Sequence, residues 1–347
     1  MTDAPYQYSF FNDYSEGAHP QILAALSHSN LVQEPGYGND SICREAVSLL
    51  QEKIGNPEAD IHFVSGGTQA NLLAFSAMLQ SYESVIAPAS GHISVHETGA
   101  IEATGHKINI TPVTDGKLLP TDIQHILDTH TDEHMVKPRA VFISQATEVG
   151  TIYQKKEIQA IAETCRKNQL YLYVDGARLG SALASTESDI TLCELSQFVD
   201  MFYIGGTKNG ALLGEAIIIN NPVLKANFRY HLKQRGALLA KGRILGTQFL
   251  ELFKQDLYFD LAKHANAMAE KLSAGIRKKG YPFLSASSTN QIFPILPNTV
   301  IEQLKINYGF YVWSKIDAEH SAIRLVTSWA TKASAVDDFL AELPAAL

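Results

Sequence analysis

What most constrains this chain is a series of short apolar runs that recur between helix-like segments. Runs at 61–64, 84–87, 107–110, 140–144, 170–174, 201–204 and 215–219 are rich in β-branched and aromatic residues and bounded by turn residues. Helical patterns lie between several of them, notably at 120–130 and 154–169. Strands that alternate with helices predict a mainly parallel sheet with right-handed crossovers. Before the series, Pro20 opens a short helix, and Asp40 is placed to cap a second helix whose apolar face carries Ile42, Ala46, Leu49 and Leu50. After residue 220 the pattern changes. Segment 222–233 reads as one helix and 244–279 as one long amphipathic helix; short strands follow near 290–295 and 322–327, then a last helix at 333–343. The expected fold class is α/β: a large, mainly parallel domain over 1–250 that includes an N-terminal arm, and a smaller C-terminal α+β domain over 251–347.

A chain of 347 residues has room for about two domains and a large core. Its 46% apolar and 18% charged content are those of an ordinary globular protein. The formal charge of −8 argues against a nucleic-acid partner and against an anionic membrane surface. Apolar runs stay well short of the roughly 20 residues needed to cross a bilayer. Cys43, Cys165 and Cys193 have neither paired nor metal-type spacing and read as reduced thiols. With no signal-peptide pattern near Met1, a cytoplasmic protein is expected.

Two strand ends carry unusual chemistry. The run 201–204 breaks into Gly205-Gly206-Thr207-Lys208-Asn209-Gly210. A lysine at the exit of a buried strand is either a solvated loop residue or a Schiff-base nucleophile. The run 170–174 ends in Asp175-Gly176-Ala177-Arg178. An acid there is either a helix N-cap or a group at the strand edge where open α/β sheets bind ligands. Pyridoxal phosphate needs a lysine for its carbonyl and an acid for its pyridine nitrogen, and Lys208 with Asp175 would supply both.

Ser65-Gly66-Gly67-Thr68-Gln69-Ala70-Asn71 joins a strand to a helix, so its free amides and the helix dipole suit a phosphate. It is neither a Walker loop nor G-x-G-x-x-G, and a plain tight turn explains it equally well. His92 and His96 are four residues apart, a spacing that on a helix puts them on one face. Glu97 follows the second histidine, the wrong order for a zinc helix, and no metal site is expected. An imidazole laid on a cofactor ring and a histidine bonded within the core both remain open.

In this order and spacing, the Gly-Gly-Thr-Gln-Ala-Asn turn, the His92 segment, Val174-Asp175-Gly176-Ala177-Arg178-Leu179 and Gly206-Thr207-Lys208 resemble the pyridoxal-phosphate enzymes of fold type I. More narrowly, they are similar to the low-specificity L-threonine aldolases among the β-eliminating lyases. The resemblance runs from Asn12-Asp13 to the stretch ending at Thr327. It implies that Lys208 forms the aldimine, that Asp175 pairs with the pyridine nitrogen, and that His92 stacks on the ring. Gly67, Thr68 and Thr207 would bind the phosphate, and Arg178 and Arg324 the substrate carboxylate, helped by Asn12. The implied reaction cleaves a threonine-like β-hydroxy amino acid to glycine and an aldehyde. A β-eliminating or other carbon–carbon lyase is the alternative.

Two positions depart from the family pattern. Glu148, in Ala146-Thr147-Glu148-Val149-Gly150, stands where the family commonly has a second histidine near the β-hydroxyl; Glu148, His96 and His92 are the expected candidates for the base. The basic stretch from Lys233 to Arg243 aligns only loosely with a family segment that reaches the phosphate of a neighbouring subunit, with Lys241 the expected contact. A homodimer or homotetramer with shared sites follows from that resemblance.

Overall fold

The computed structural model describes residues 6–346. Its centre is a seven-stranded sheet made of β1 (Asp60–Val64), β2 (Glu83–Pro88), β3 (Lys107–Thr111), β4 (Lys137–Ser144), β5 (Tyr171–Asp175), β6 (Met201–Gly205) and β7 (Glu215–Ile219). The strands lie in the order β1-β7-β6-β5-β4-β2-β3. Four neighbouring pairs are parallel, and β7 pairs antiparallel with both β1 and β6. The sheet is therefore mixed and mostly parallel, with β7 alone reversed. Helices cover both faces, which is why β2, β6 and β7 are buried along their whole length and, after the polar residues that open β2 and β7, read as continuous apolar runs rather than alternating ones.

The helices follow their sequence signals closely where caps are strong. Ser41–Ile54 starts at Asp40, whose carboxylate accepts from the Cys43 amide at 2.7 Å, and stops at Gly55 in the left-handed region. Its buried stripe, Cys43, Ala46, Leu50 and Ile54, has helical spacing. Where caps are weak the expectation fails. Segment 222–233 is two helices, Pro222–Lys225 and Phe228–Gln234, separated at Asn227 with φ 62°. Segment 244–279 is also two, Arg243–Lys254 and Leu257–Lys278, parted at Asp256 with φ 57°. Asn and Asp tolerate that left-handed geometry, so no Gly or Pro announces either break.

The C-terminal portion has its own antiparallel strands, Ile295–Pro297, His320–Val326 and Tyr311–Lys315, with Gln291–Ile292 also pairing with His320–Val326. The strand Tyr311–Lys315 escapes sequence reading because it lies at an edge, where its side chains are mostly exposed. The arm joins this portion rather than the central sheet. Tyr8–Ser9 pairs in parallel with Tyr308–Gly309, and fully buried Phe10 packs with Leu272, Ile323, Leu325 and Phe339.

Candidate active site

Because β7 is reversed, its first residue lies at the edge where the other six strands end. That edge collects the charged groups. Fifteen residues enclose a cavity of about 300 Å³, among them Gly67, Thr68, His92, Glu148, Asp175, Arg178, Thr207, Lys208 and Glu215. The location obeys the rule that open α/β sheets bind ligands beyond the carboxyl ends of their strands. A roomier open cleft of about 620 Å³ lies at the opposite edge, against the starts of β5 and β6, and gathers no such set of acids, bases and nucleophiles.

Asp175 is the last residue of β5 and is 3% exposed. One carboxylate oxygen accepts from the Tyr203 hydroxyl at 2.6 Å and the Ala177 amide at 3.0 Å; the other accepts from the Asn71 side-chain amide at 3.0 Å. Gly176 makes this crowding possible, since a Cβ there would stand 1.8 Å from the Tyr203 carbonyl oxygen. The same Asn71 nitrogen donates to Glu97 at 2.7 Å, and Glu97 meets the His92 Nδ1 at 2.8 Å. One buried amide thus links the acid at the strand end to the carboxylate that orients the histidine. Burial by itself would lower the His92 pKa. The hydrogen bond to Glu97 and the charges of Asp175 and Glu148 outweigh it, and the net shift is upward.

Lys208 leaves β6 through the Gly205-Gly206-Thr207 turn and faces the cavity. Burial, reinforced by the positive charge of Arg178, lowers its pKa and favours the neutral amine that a nucleophile needs. Ser65-Gly66 brings the chain from β1 into the helix Gly67–Met78, whose first turn carries no acidic side chain and receives no side-chain cap from Gly66. Its leading amides are thus available to an anion. Thr207 closes the seat from the other side, its hydroxyl accepting from the Gly214 amide at 3.0 Å.

The structure assigns Arg178 a partner that its sequence context did not reveal. Its Nε and one terminal nitrogen donate to Asp13 at 2.7 and 3.0 Å, and Asn290 donates to the same carboxylate at 2.9 Å. Burial alone would raise the Asp13 pKa; the charges of Arg178 and Lys208 reverse this and hold it low. Arg324 stands on His320–Val326 with its guanidinium over the rings of Tyr311 and Trp313, at 5.1 and 5.2 Å. Its buried Nε has no hydrogen-bond partner among the described residues, and burial together with the charge of Arg178 lowers its pKa.

Four expected site residues lie outside the cavity lining. Asn12 spends its side-chain oxygen on the Tyr14 amide and the Ser15 hydroxyl, both at 3.0 Å. His96 is exposed beside His92, ring centroids 5.6 Å apart. Lys241 is exposed on the loop before Arg243–Lys254, and Arg324 sits in the C-terminal strands. Conversely, Asp13, Asn71, Glu97, Tyr203 and Glu215 carry the site's hydrogen bonds without having been singled out. Their one legible signal was a polar residue within or beside a buried run.

This donor set fits pyridoxal phosphate: an anion seat at a helix start, a carboxylate at a strand end, an oriented imidazole and a lysine of lowered pKa, all on one cavity. Comparisons with known proteins point the same way. Over 100% of this chain and 99% of its own, a low specificity L-threonine aldolase of Pseudomonas sp. (strain NCIMB 10558) is 33% identical. A second, from Pseudomonas aeruginosa, is 34% identical over 95% of each chain. The structure of a threonine aldolase from Leishmania major superposes with a TM-score of 0.96 at 49% identity, covering 97% of this chain and 98% of that one. An aromatic aminotransferase from Pyrococcus horikoshii, at 15% identity and a TM-score of 0.71 over 97% and 94%, shares the fold. Residues 18–298 match the Beta-eliminating lyase family, and to that family of fold type I enzymes this chain belongs.

Proposed function

We propose that this lyase cleaves threonine-like β-hydroxy amino acids to glycine and an aldehyde with bound pyridoxal phosphate. The observation that carries the reading is the convergence of Lys208, Asp175 and His92 on one cavity beside the Gly67 helix start. Gly67, Thr68 and Thr207 would hold the phosphate, Asp175 the pyridine nitrogen, His92 the ring face and Lys208 the carbonyl carbon. When bound, the cofactor supplies a sink for the electron pair left on the substrate α-carbon as the α–β bond breaks. The chain's own residues do the rest. Arg178, oriented by Asp13 on the cavity wall, binds the substrate carboxylate and fixes the breaking bond relative to the ring; Arg324, outside the lining with its guanidinium over the rings of Tyr311 and Trp313, adds positive charge toward the same end. Glu148 takes the β-hydroxyl proton on its carboxylate. Tyr203 and Asn71 keep Asp175 in place and dry.

The active form is a homo-oligomer in which Lys241 of a neighbouring copy completes the phosphate seat. Its exposed loop position supports this, and sedimentation of a fully active monomer would remove it. The main reading is tested with purified protein, pyridoxal phosphate and a panel of β-hydroxy amino acids. Wild type is expected to show a visible absorbance band, borohydride fixation of one cofactor per chain, and release of aldehyde with glycine. Lys208→Ala should lose all three together; a variant that still fixes cofactor at full stoichiometry overturns the assignment.

A further inference from the structure

Glu215 is a buried acid for which the proposed function has no use. It is the first residue of the reversed strand β7 and pairs with Val64 at the end of β1 and with Gly205 at the end of β6. Both turns that cradle an anion start from those two neighbours: Ser65 to Thr68 on one side, Gly206 to Lys208 on the other. Glu215 therefore lies at the floor of the seat, 5% exposed but lining the cavity. One of its oxygens, Oε2, accepts from the Gly206 amide at 2.8 Å, and the carboxylate lines the cavity with the Thr207 hydroxyl beside it.

The charged and titratable groups around it are Lys208, the Asp175 carboxylate and the hydroxyls of Tyr203, Tyr173 and Tyr258, with the Thr207 hydroxyl alongside. Burial raises its pKa to about 7, against the Gly206 and Lys208 interactions that pull it down. A dianion beside an ionised carboxylate in a dry site is a like-charge pair, and such pairs resolve by one member keeping a proton. A carboxyl held neutral in this way becomes a hydrogen-bond donor.

We propose that Glu215 is the proton-bearing wall of the phosphate seat, so that binding of a dianion takes one proton onto its cavity-facing oxygen, which then donates to the anion. The proposal rests on the cofactor reading above, and its test is separable from it. The probe is sulfate, which is a full dianion at neutral and alkaline pH, so any proton taken up goes to the protein. Calorimetric titration of the full-length, cofactor-free chain with sulfate at pH 8, in two buffers of different ionisation heat, counts protons. Wild type should take up about one proton per sulfate, because a group titrating near 7 is mostly ionised at pH 8. Glu215→Gln, which is neutral at every pH and can still donate, should bind sulfate with almost no uptake. Its sulfate affinity should stay level between pH 7 and 9, whereas that of wild type weakens by roughly tenfold per unit above its midpoint. Circular dichroism of the variant checks the fold, and Glu215→Asp provides a second titrating wall if glutamine disturbs it.

Uptake that persists in Glu215→Gln assigns the proton to another group on the cavity, Lys208 or His92, and overturns the proposal. Sulfate binding to wild type without uptake overturns it too, because binding then adds no proton to Glu215, whether that group stays ionised beside a cation or is neutral beforehand. So does failure of sulfate to bind at any pH. Adding pyridoxal phosphate to the same samples tells the two readings apart: a normal visible band with any of these outcomes leaves the cofactor reading standing, and no band in wild type removes that reading instead.

Discussion

At the scale of single residues, the site is organised by what each polar group is already committed to. Asp175 accepts three hydrogen bonds, and Asn71 ties it to Glu97 and through Glu97 to His92. Glu148 is less constrained: among the described residues its side chain has only a long contact from the Ser144 hydroxyl at 3.4 Å. A carboxylate free of tight partners on a substrate cavity is suited to taking a proton. Glu148→Gln should lower turnover on a β-hydroxy amino acid by about 10²–10⁴-fold, the range for loss of a general base, and leave the cofactor absorbance unchanged. The comparison is a pair of pH–rate profiles; superimposable curves with equal turnover would leave Glu148 a structural residue. Lys208 and Asp175 could be picked out from the sequence because each follows an apolar strand. Glu97 and Asn71 could not, because their roles come from contacts between a strand, a turn and a helix far apart in the chain.

Among the elements, strand ends were easier to read than strand directions. A strand buried on both faces announces itself as an apolar run, but Glu215–Ile219 carries nothing that says it runs against its neighbours. Helix breaks at Asn227 and Asp256 were hidden for a similar reason, since neither residue is a strong breaker. The turn after β1 was legible as Gly66-Gly67, yet its two glycines have different jobs. A Cβ on Gly67 would lie 2.9 Å from the Tyr203 hydroxyl, whereas one on Gly66 would meet nothing within 4 Å. Tyr203 is 1% exposed and bonded to Asp175, so it has nowhere to move. Gly67→Ala should therefore cost about 1–3 kcal/mol by overpacking and weaken cofactor retention through Asp175. Gly66→Ala should stay within about 0.5 kcal/mol in the same denaturant titration. Equal stabilities for the two variants would show that the turn has slack at Tyr203.

Across the whole molecule, the bidentate pair of Asp13 and Arg178 joins three remote parts of the chain, with Asn290 as the third. The sequence placed an arm before the first helix but gave no sign of its partner, since Asp13 and Arg178 are 165 residues apart. Removing one member of a buried pair strands the other charge, at about 3–5 kcal/mol. Asp13→Asn should show that loss at neutral pH in thermal or denaturant unfolding. The pH dependence has a definite sign. The folded-state pKa of Asp13 is depressed below 3.8, so its contribution is present above that value and disappears as the pH falls through the folded pKa. Wild type should converge on Asp13→Asn in acid, and a constant gap down to the acid limit would place the stabilisation elsewhere.

The pairing of Tyr8–Ser9 with Tyr308–Gly309 also sets a timetable. A ribosome adding about 5–20 residues per second needs roughly 15–60 s to travel from one of these strands to the other. Throughout that interval the arm has no strand to join and Phe10 has no core to enter. Asp13 can meet Arg178 early, but Asn290, its other partner, is still to be made. The large sheet can form while the chain is growing. The arm, which brings Tyr14 to the cavity and is tied down by a strand near the other end of the sequence, is fixed last.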